Sequence, residues 1–244
     1  MNNQSHILIS MLDKIARALP EEYLDEMAFI GGCTTALFLD IPNAEDGIRA
    51  TYDVDLIVDI STRTAWYELE DSLRKLGFRN DLEDDILCRF KLNDIIVDFM
   101  PINEDILGFT NYWYEKSMKN TNEYTLPSGT KIKILDACYF LATKFEAYLG
   151  RGDDDPMSSK DIEDILNVIA GRSTIIGEIY ETNDELQTYL SDQFSKLISH
   201  PDWQYVLQGN VSSAFSMKVA KNINAIINKN KYKHTSPMEK ILMT

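Results

Sequence analysis

Apolar residues recur along this chain in two rhythms, and the change between them falls near residues 127–135. Residues 5–18 place Ile7, Leu8, Met11, Leu12 and Ile15 at helical spacing and predict an opening helix. Met27–Ile30 reads as a short buried strand ending at Gly31-Gly32, and Thr34–Leu39 as the start of a second helix. Tyr52–Ile60 predicts a strand, and Thr64–Leu76 a helix closed by Gly77. Leu87–Leu92 and Asp94–Ile102 are apolar runs joined at Asn93-Asp94, the signal of a tight hairpin. Glu123–Leu126 and Thr130–Ile134 flank a second turn, Pro127-Ser-Gly129. From there on the period is helical, in Leu135–Gly150, Ser158–Ala170, Thr174–Tyr180, Asn183–Ile198 and Val211–Asn228. The pattern predicts an α+β protein: a mixed-sheet N-terminal domain over residues 1–134, then a helical C-terminal domain over 135–244.

Composition adds limits. Hydrophobic residues make up 44% and charged residues 26%, the balance of a water-exposed globular chain. No apolar stretch reaches the roughly 18–20 residues that span a bilayer, and Met-Asn-Asn-Gln-Ser-His lacks the features of a signal peptide, so a cytoplasmic protein with no membrane partner is expected. Cys33, Cys88 and Cys138 stand far apart without metal-ligand spacing and read as small buried residues of a reducing compartment. Cys33 follows the glycine pair, but none of the three histidines is near it in sequence, which argues against a nucleophile.

The net charge of −15 excludes a protein that simply coats nucleic acid. From Lys218 onward there are six lysines against the single acid Glu239, so the tail carries +5 and the preceding residues −20. Such a tail is a solvated helix with a frayed end, or a patch for phosphate or a partner.

The chemistry lies in the acids. Asp53 and Asp55 sit two residues apart in Thr51-Tyr-Asp-Val-Asp-Leu-Ile-Val58, so on a strand they face one way while Val54, Leu56 and Val58 face a core. Asp98 is embedded in a later apolar strand, Ile95-Ile-Val-Asp-Phe-Met100. Like charges side by side call for something positive between them. Magnesium takes one or two carboxylates plus substrate phosphates, and an Asp-x-Asp strand holds one such ion or bridges two. Gly31-Gly32 would let backbone N–H groups and a helix N-terminus approach a triphosphate. Taken singly, a Gly-Gly is a turn, an Asp-x-Asp a solvated strand edge, and Asp98 a satisfied half-buried acid. Their conjunction in this order points to a divalent-metal site for a phosphate-bearing substrate. On the helix beginning at Leu135, Cys138, Leu141, Ala142, Phe145 and Leu149 share an apolar face, while Lys144, Tyr148 and Arg151 form a flank. Ser158-Ser-Lys-Asp161 has capping-type spacing, and Asp153-Asp-Asp155 reads as a solvated loop.

Phe29-Ile-Gly-Gly32, Asp53-Val-Asp55 and the strand-borne Asp98 together resemble the polymerase-β-like nucleotidyltransferase superfamily. The gap between Gly32 and Asp53 is longer than in its compact members and is more similar to the AbiEii/AbiGii-type toxin nucleotidyltransferases, which include the MenT-like enzymes. Those carry an Arg-x-Thr/Ser-x-Asp-x-Asp pattern, matched by Arg49-Ala-Thr-Tyr-Asp-Val-Asp55. They also carry a lysine-containing helix and then a Lys-Asp-x-x-Asp-Ile helix, as in Ala142–Arg151 and Lys160-Asp-Ile-Glu-Asp-Ile165. The resemblance spans residues 27–170.

It implies a nucleotidyltransferase-type sheet and an enzyme that moves a nucleoside monophosphate from an NTP to a hydroxyl. Asp53, Asp55 and Asp98 would be catalytic and bind Mg²⁺ or Mn²⁺; Gly31, Gly32, Thr51, Lys144 and Asp161 would bind the nucleotide, Lys144 on phosphate and Asp161 ordering the site. A toxin acting on tRNA, with a cognate antitoxin, is the implied biology. Two alternatives stand beside it. One modifies a small cationic molecule such as an aminoglycoside, or a protein hydroxyl, which the acidic body favours. The other is an inactive module that binds nucleotide or a partner.

Overall fold

A computed structural model describes residues 3–80, 86–151 and 154–234, the side chains of residues 45 and 230–234 excepted. The chain opens with α1 (Asn3–Ala18) and the single turn α2 (Glu21–Leu24), then β1 (Met27–Ile30). Two 3-10 segments, Gly32–Phe38 and Ala44–Gly47, lead to β2 (Asp53–Val58) and α3 (Arg63–Lys75). Next come β3 (Arg79–Asn80), β4 (Arg89–Leu92), β5 (Ile95–Pro101), the short helices α4 (Glu104–Leu107) and α5 (Tyr114–Met118), and β6 (Thr121–Thr125) with β7 (Lys131–Leu135). Six further helices follow: α6 (Ala137–Arg151), α7 (Lys160–Gly171), α8 (Ile175–Glu181), α9 (Asp184–Ser199), α10 (Trp203–Asn210) and α11 (Ser213–His234).

The seven strands form one mixed sheet in the order β3-β4-β5-β2-β1-β7-β6. β1 is antiparallel to β2 and parallel to β7, and β2 runs parallel to β5. All four residues of β1 are buried, as an apolar strand inside the sheet requires. The two turn signals sit at the hairpins: Asn93 at φ 53° joins β4 to β5, and Gly129 at φ 88° joins β6 to β7. On one face of the sheet Val54, Leu56, Val97 and Phe99 are fully buried. Phe99 lies edge-on to both Phe78 and Phe90, with ring centroids 5.5 and 5.7 Å apart. The opposite face carries Asp53, Asp55 and Asp98.

The 3-10 segment Gly32–Phe38 packs against α1, β2 and α7, while α6 packs on α7 and α9, and α11 lies across α7, α8 and α9. One contiguous apolar cluster runs from Ile9 to Ile227, joining the sheet to the helices. The structure is thus mixed α and β, with the later helices on a mixed sheet. No helix among the described residues is long and apolar enough to cross a membrane.

Three local readings of the pattern are corrected. Residues 34–38 continue the 3-10 segment instead of opening an α-helix over 34–39, and Leu39 is extended; Thr34 and Thr35 are β-branched and buried there, and Thr34 donates its hydroxyl to the Gly31 carbonyl. Ile7 and Leu149, assigned to apolar faces, are exposed. α10 buries only Val206, too little apolar periodicity to announce a helix.

Where the structure describes the tail, two of its lysines are tied to helix ends and Lys221 is exposed. Lys218 donates to the Ala170 carbonyl near the end of α7, and Lys229 to the Tyr180 carbonyl near the end of α8, its ammonium 3.9 Å from the Tyr180 ring. Cations at helix C-termini complete unpaired carbonyls and offset the helix dipole. Lys240 and the side chains of Lys231 and Lys233 lie outside the described residues. In the Asp153–Asp155 loop, Asp153 is also outside them, while Asp154 and Asp155 are exposed as expected.

Phe99→Ala is expected to lower unfolding free energy by about 3–5 kcal/mol, because the two flanking rings cannot close the space. Urea denaturation followed by circular dichroism checks it.

Candidate functional site

Register explains why the acids meet. β2 and β5 are parallel with Asp55 beside Asp98, and β1 places Ile30 opposite Asp55 from the other side. Side chains aligned across neighbouring strands share a face, so Asp55 and Asp98 stand next to each other with Asp53 two residues along. Gly31 continues directly from Ile30 at φ 77° and ψ −173°, a left-handed conformation that favours glycine. A Cβ there would lie 1.8 Å from Oδ2 of Asp55, so only glycine lets the chain pass this close to the carboxylate. At Gly32 a Cβ would lie 2.2 Å from Nη2 of Arg49.

Each acid has a distinct environment. Thr51 is buried and donates its hydroxyl to Oδ1 of Asp53, orienting that carboxylate. Arg89, directly opposite Asp98 in the β4–β5 hairpin, takes both of its oxygens: Nε to Oδ1 at 2.8 Å and Nη2 to Oδ2 at 2.8 Å. Among the described residues Asp55 has no such side-chain partner. Burial and the nearby Asp53 and Asp98 push its carboxyl up to about 7, against the pull of Lys144 and Arg49. Cys33 is fully buried with its thiol on the Ile30 carbonyl, and burial drives its pKa far upward, so it supplies no thiolate.

A second cluster lies on the helices. Arg49 bonds Asp164 at 3.0 Å, Lys144 bonds Asp164 at 2.6 Å and Asp161 at 3.1 Å, and Arg151 bonds Asp161 at 2.8 Å. Three cations share two carboxylates in one chain, leaving an excess of one positive charge. Lys144, Asp161 and Asp164 are all buried, at 7%, 2% and 1% exposure. Burial opposes charge on Lys144, but Asp164 and Asp161 outweigh it and its pKa is raised. Burial likewise works against Asp161, and Lys144 and Arg151 still hold it low. The helix cap is Ser159, whose side chain accepts from the Ile162 N–H, so Asp161 is turned to the cations instead of the backbone. Asn167 on α7 donates to the Gly47 carbonyl at 2.7 Å, and Gly171 accepts from the N–H groups of Asp40 and Ile41. These bonds fasten the segment that carries Arg49 to α7. Buried Nε of Arg49 and Oγ1 of Thr35 have no hydrogen-bond partner among the described residues.

Asp53 and Asp55 lie two residues apart on one face of β2 and could offer carboxylate oxygens to a hard divalent cation. With Asp98 turned to Arg89, no group of three acidic, histidine or cysteine side chains among the described residues is arranged to hold a metal ion. The pair Asp53 and Asp55 remains, which is enough for magnesium with substrate phosphates.

All eight residues singled out in the sequence fall in these two clusters or the turn between them. Three partners were missed: Arg89, Asp164 and the bridging role of Arg49. The hairpin offered a signal for the first, because a turn at Asn93-Asp94 counts Arg89 opposite Asp98. Asp164 follows Asp161 by three residues on one helical face, a spacing that stacks both carboxylates. No family model and no curated protein matches this chain.

Two expectations follow. In metal-free protein, ionised Asp55 costs stability, because its folded pKa of about 7 exceeds the ordinary 3.8. The folded state therefore holds more protons between these values, and stability falls as pH rises through that window. The Tm advantage of Asp55→Asn over the native chain is expected to widen from pH 4 to 7 and then level off, in EDTA-treated samples. Asp164→Ala, which strips a buried carboxylate from two cations, is expected to cost about 3–5 kcal/mol. Arg151→Ala, at a mostly exposed side chain, is expected to cost about 1 kcal/mol or less. Urea titration of both variants checks the contrast.

Proposed function

We propose that this protein is a divalent-metal-dependent nucleotidyltransferase. The observation that carries the reading is the alignment of Asp53, Asp55 and Asp98 on one face of adjacent parallel strands, with Gly31 against Asp55. The chain Arg49–Asp164–Lys144–Asp161–Arg151 supports it by adding a net cation beside those acids.

In this reading Asp53 and Asp55 hold Mg²⁺ or Mn²⁺, which neutralises phosphate oxygens when bound. Thr51, with its hydroxyl on Oδ1 of Asp53, would orient the carboxylate that holds such an ion. The acceptor hydroxyl oxygen bonds to the α-phosphorus, the bond to the bridging oxygen breaks, and pyrophosphate leaves. The hydroxyl proton passes to a carboxylate oxygen on the acid face. Positioning and charge neutralisation do most of this work, so few side chains are needed. Lys144 acts on Asp55 through its charge, and Arg151, bonded to Asp161 with its side chain 62% exposed, would be open to a triphosphate. Gly31 and Gly32 keep side chains out of the approach.

For the acceptor, a tRNA 3′ end and a toxin with a cognate antitoxin are the first choice, resting on the sequence resemblance. The acidic balance of −15 favours a second reading, a cationic small molecule such as an aminoglycoside, or else a protein hydroxyl.

The test is label transfer from each α-³²P-NTP with Mg²⁺ or Mn²⁺ into total tRNA, lysate protein and an aminoglycoside panel. Asp53→Asn is expected to lower incorporation at least about a hundredfold, as loss of a metal-borne charge of several kcal/mol requires. Labelled tRNA supports the toxin reading, and a labelled drug or protein band supports the second. Incorporation that survives Asp53→Asn, or none in any fraction, sinks the transferase and leaves a nucleotide-binding or partner-binding module.

A further inference from the structure

We infer that Arg89 competes with a divalent cation for Asp98, and so holds the site to a single ion on Asp53 and Asp55. The inference rests on the metal-dependent reading above and adds a positioning residue to it.

Three observations carry it. Arg89 and Asp98 are paired residues of antiparallel β4 and β5, so the guanidinium is delivered by strand register and not by a mobile loop. Both carboxylate oxygens are occupied, each at 2.8 Å, and the two side chains are only 22% and 11% exposed. A planar guanidinium fork matches a carboxylate in this way and never loses its proton, so it occupies Asp98 at every working pH. On the other side of Asp98, one strand spacing away, stands Asp55. The row across the sheet is therefore cation, carboxylate, carboxylate.

Charge then sets the capacity of the site. With Asp98 neutralised by Arg89, Asp53 and Asp55 present two negative charges, the complement of one divalent ion. With Arg89 removed, three carboxylates present three charges on one face, which a single divalent ion does not balance. Magnesium completes its octahedron with water and phosphate oxygens, so two carboxylates suffice for it. Two-ion sites set their ions roughly 4 Å apart and need bridging or additional oxygens. Asp98 is the acid placed to supply them, and Arg89 holds it.

The experiment is Mn²⁺ binding to the full chain without nucleotide, followed by electron paramagnetic resonance, in the native protein, Arg89→Gln, Arg89→Lys and the double variant Arg89→Gln with Asp98→Asn. The native chain is expected to bind one Mn²⁺. Arg89→Gln is expected to bind a second ion, or to tighten the first at least about tenfold, the effect of losing one charge-assisted contact that competes for the same oxygens. Arg89→Lys keeps the charge but contacts Asp98 as a point, and is expected to fall between the two. The double variant, which removes the fork and its carboxylate together and so keeps the net charge of the row, is expected to bind like the native chain. Circular dichroism melts report whether each variant is folded; if Arg89→Gln is not, tighter binding by Arg89→Lys is the deciding result. Native binding with unchanged or weaker binding in the folded single Arg89 variants overturns the inference and makes Arg89 a structural brace. A second ion, or a tenfold tightening, that persists in the double variant also overturns it, because Asp98 is then not the ligand that Arg89 withholds. Absence of Mn²⁺ binding in every variant removes the metal-site reading together with it.

Discussion

Two carboxylates placed side by side on parallel strands are the constraint around which this structure is arranged. Asp55 and Asp98 are register neighbours, and adjacent strands lie about 4.8 Å apart. At an effective dielectric of about 20, unit charges at such a distance repel by about 3–4 kcal/mol. That is a large share of the roughly 5–15 kcal/mol by which a domain is stable. The other sheet face, with Val54, Leu56, Val97 and Phe99 fully buried, offsets the repulsion through apolar burial. The acid face offsets it through cations, by Arg89 at close range and by Lys144 and Arg49 from a greater distance.

The cations on the helices depend on the same geometry. Lys144 is buried between two carboxylates, and an ammonium stripped of water there needs both of them. Asp164 serves Lys144 and Arg49 together, so α6, α7 and the segment before β2 meet at one carboxylate. Gly47 lies so close to Asn167 that a Cβ would stand 2.4 Å from its Oδ1, and Gly171 is similarly pressed by Leu39 and Ala44. Close backbone approach there brings Arg49 to α7 and keeps the helices in register with the sheet. The position of Lys144 relative to Asp55 is in this way a property of packing between two halves of the chain, not of either alone.

Much of this was legible in the sequence, for reasons that differ from place to place. The alternation at Asp53-Val-Asp-Leu56 gave a strand with Asp53 and Asp55 on one face, because a period of two admits no other arrangement, and the apolar run at Ile95–Pro101 gave the strand that carries Asp98. Asn93-Asp94 and Pro127-Ser-Gly129 gave the hairpins, since both require turn backbones that few residues adopt. Parallel pairing of β2 with β5 was not legible: it joins residues more than forty positions apart, and no local pattern encodes it. The ion pairs were hidden for the same reason, as Arg49 meets Asp164 across 115 residues. The 3-10 segment after Gly31 looked helical because its apolar spacing fits either helix. Thr34 and Thr35, buried by tertiary contact with α1, β2 and α7, mark where that spacing misled.

Net charge and local charge point in opposite directions here, and their ranges decide which governs a bound phosphate. The chain carries −15 overall, but mobile ions screen exposed charges beyond about 8 Å at physiological salt. A phosphate resting at the acid face therefore responds first to the charges within that distance. Those include Lys144 and Arg49, which both act on Asp55, with Glu163 opposing Arg49. In the proposed reading a divalent ion on Asp53 and Asp55 would cancel their charge, and a triphosphate there would meet Lys144 and Arg49 first in an otherwise acidic protein. Free acceptors, by contrast, approach from outside the screening length and meet the acidic surface first, which selects against polyanions that bring no cations of their own. In the proposed reading the nucleotide and the acceptor would thus respond to different charges in one molecule, and a long polyanionic acceptor would need a basic surface beyond the acid face to reach it.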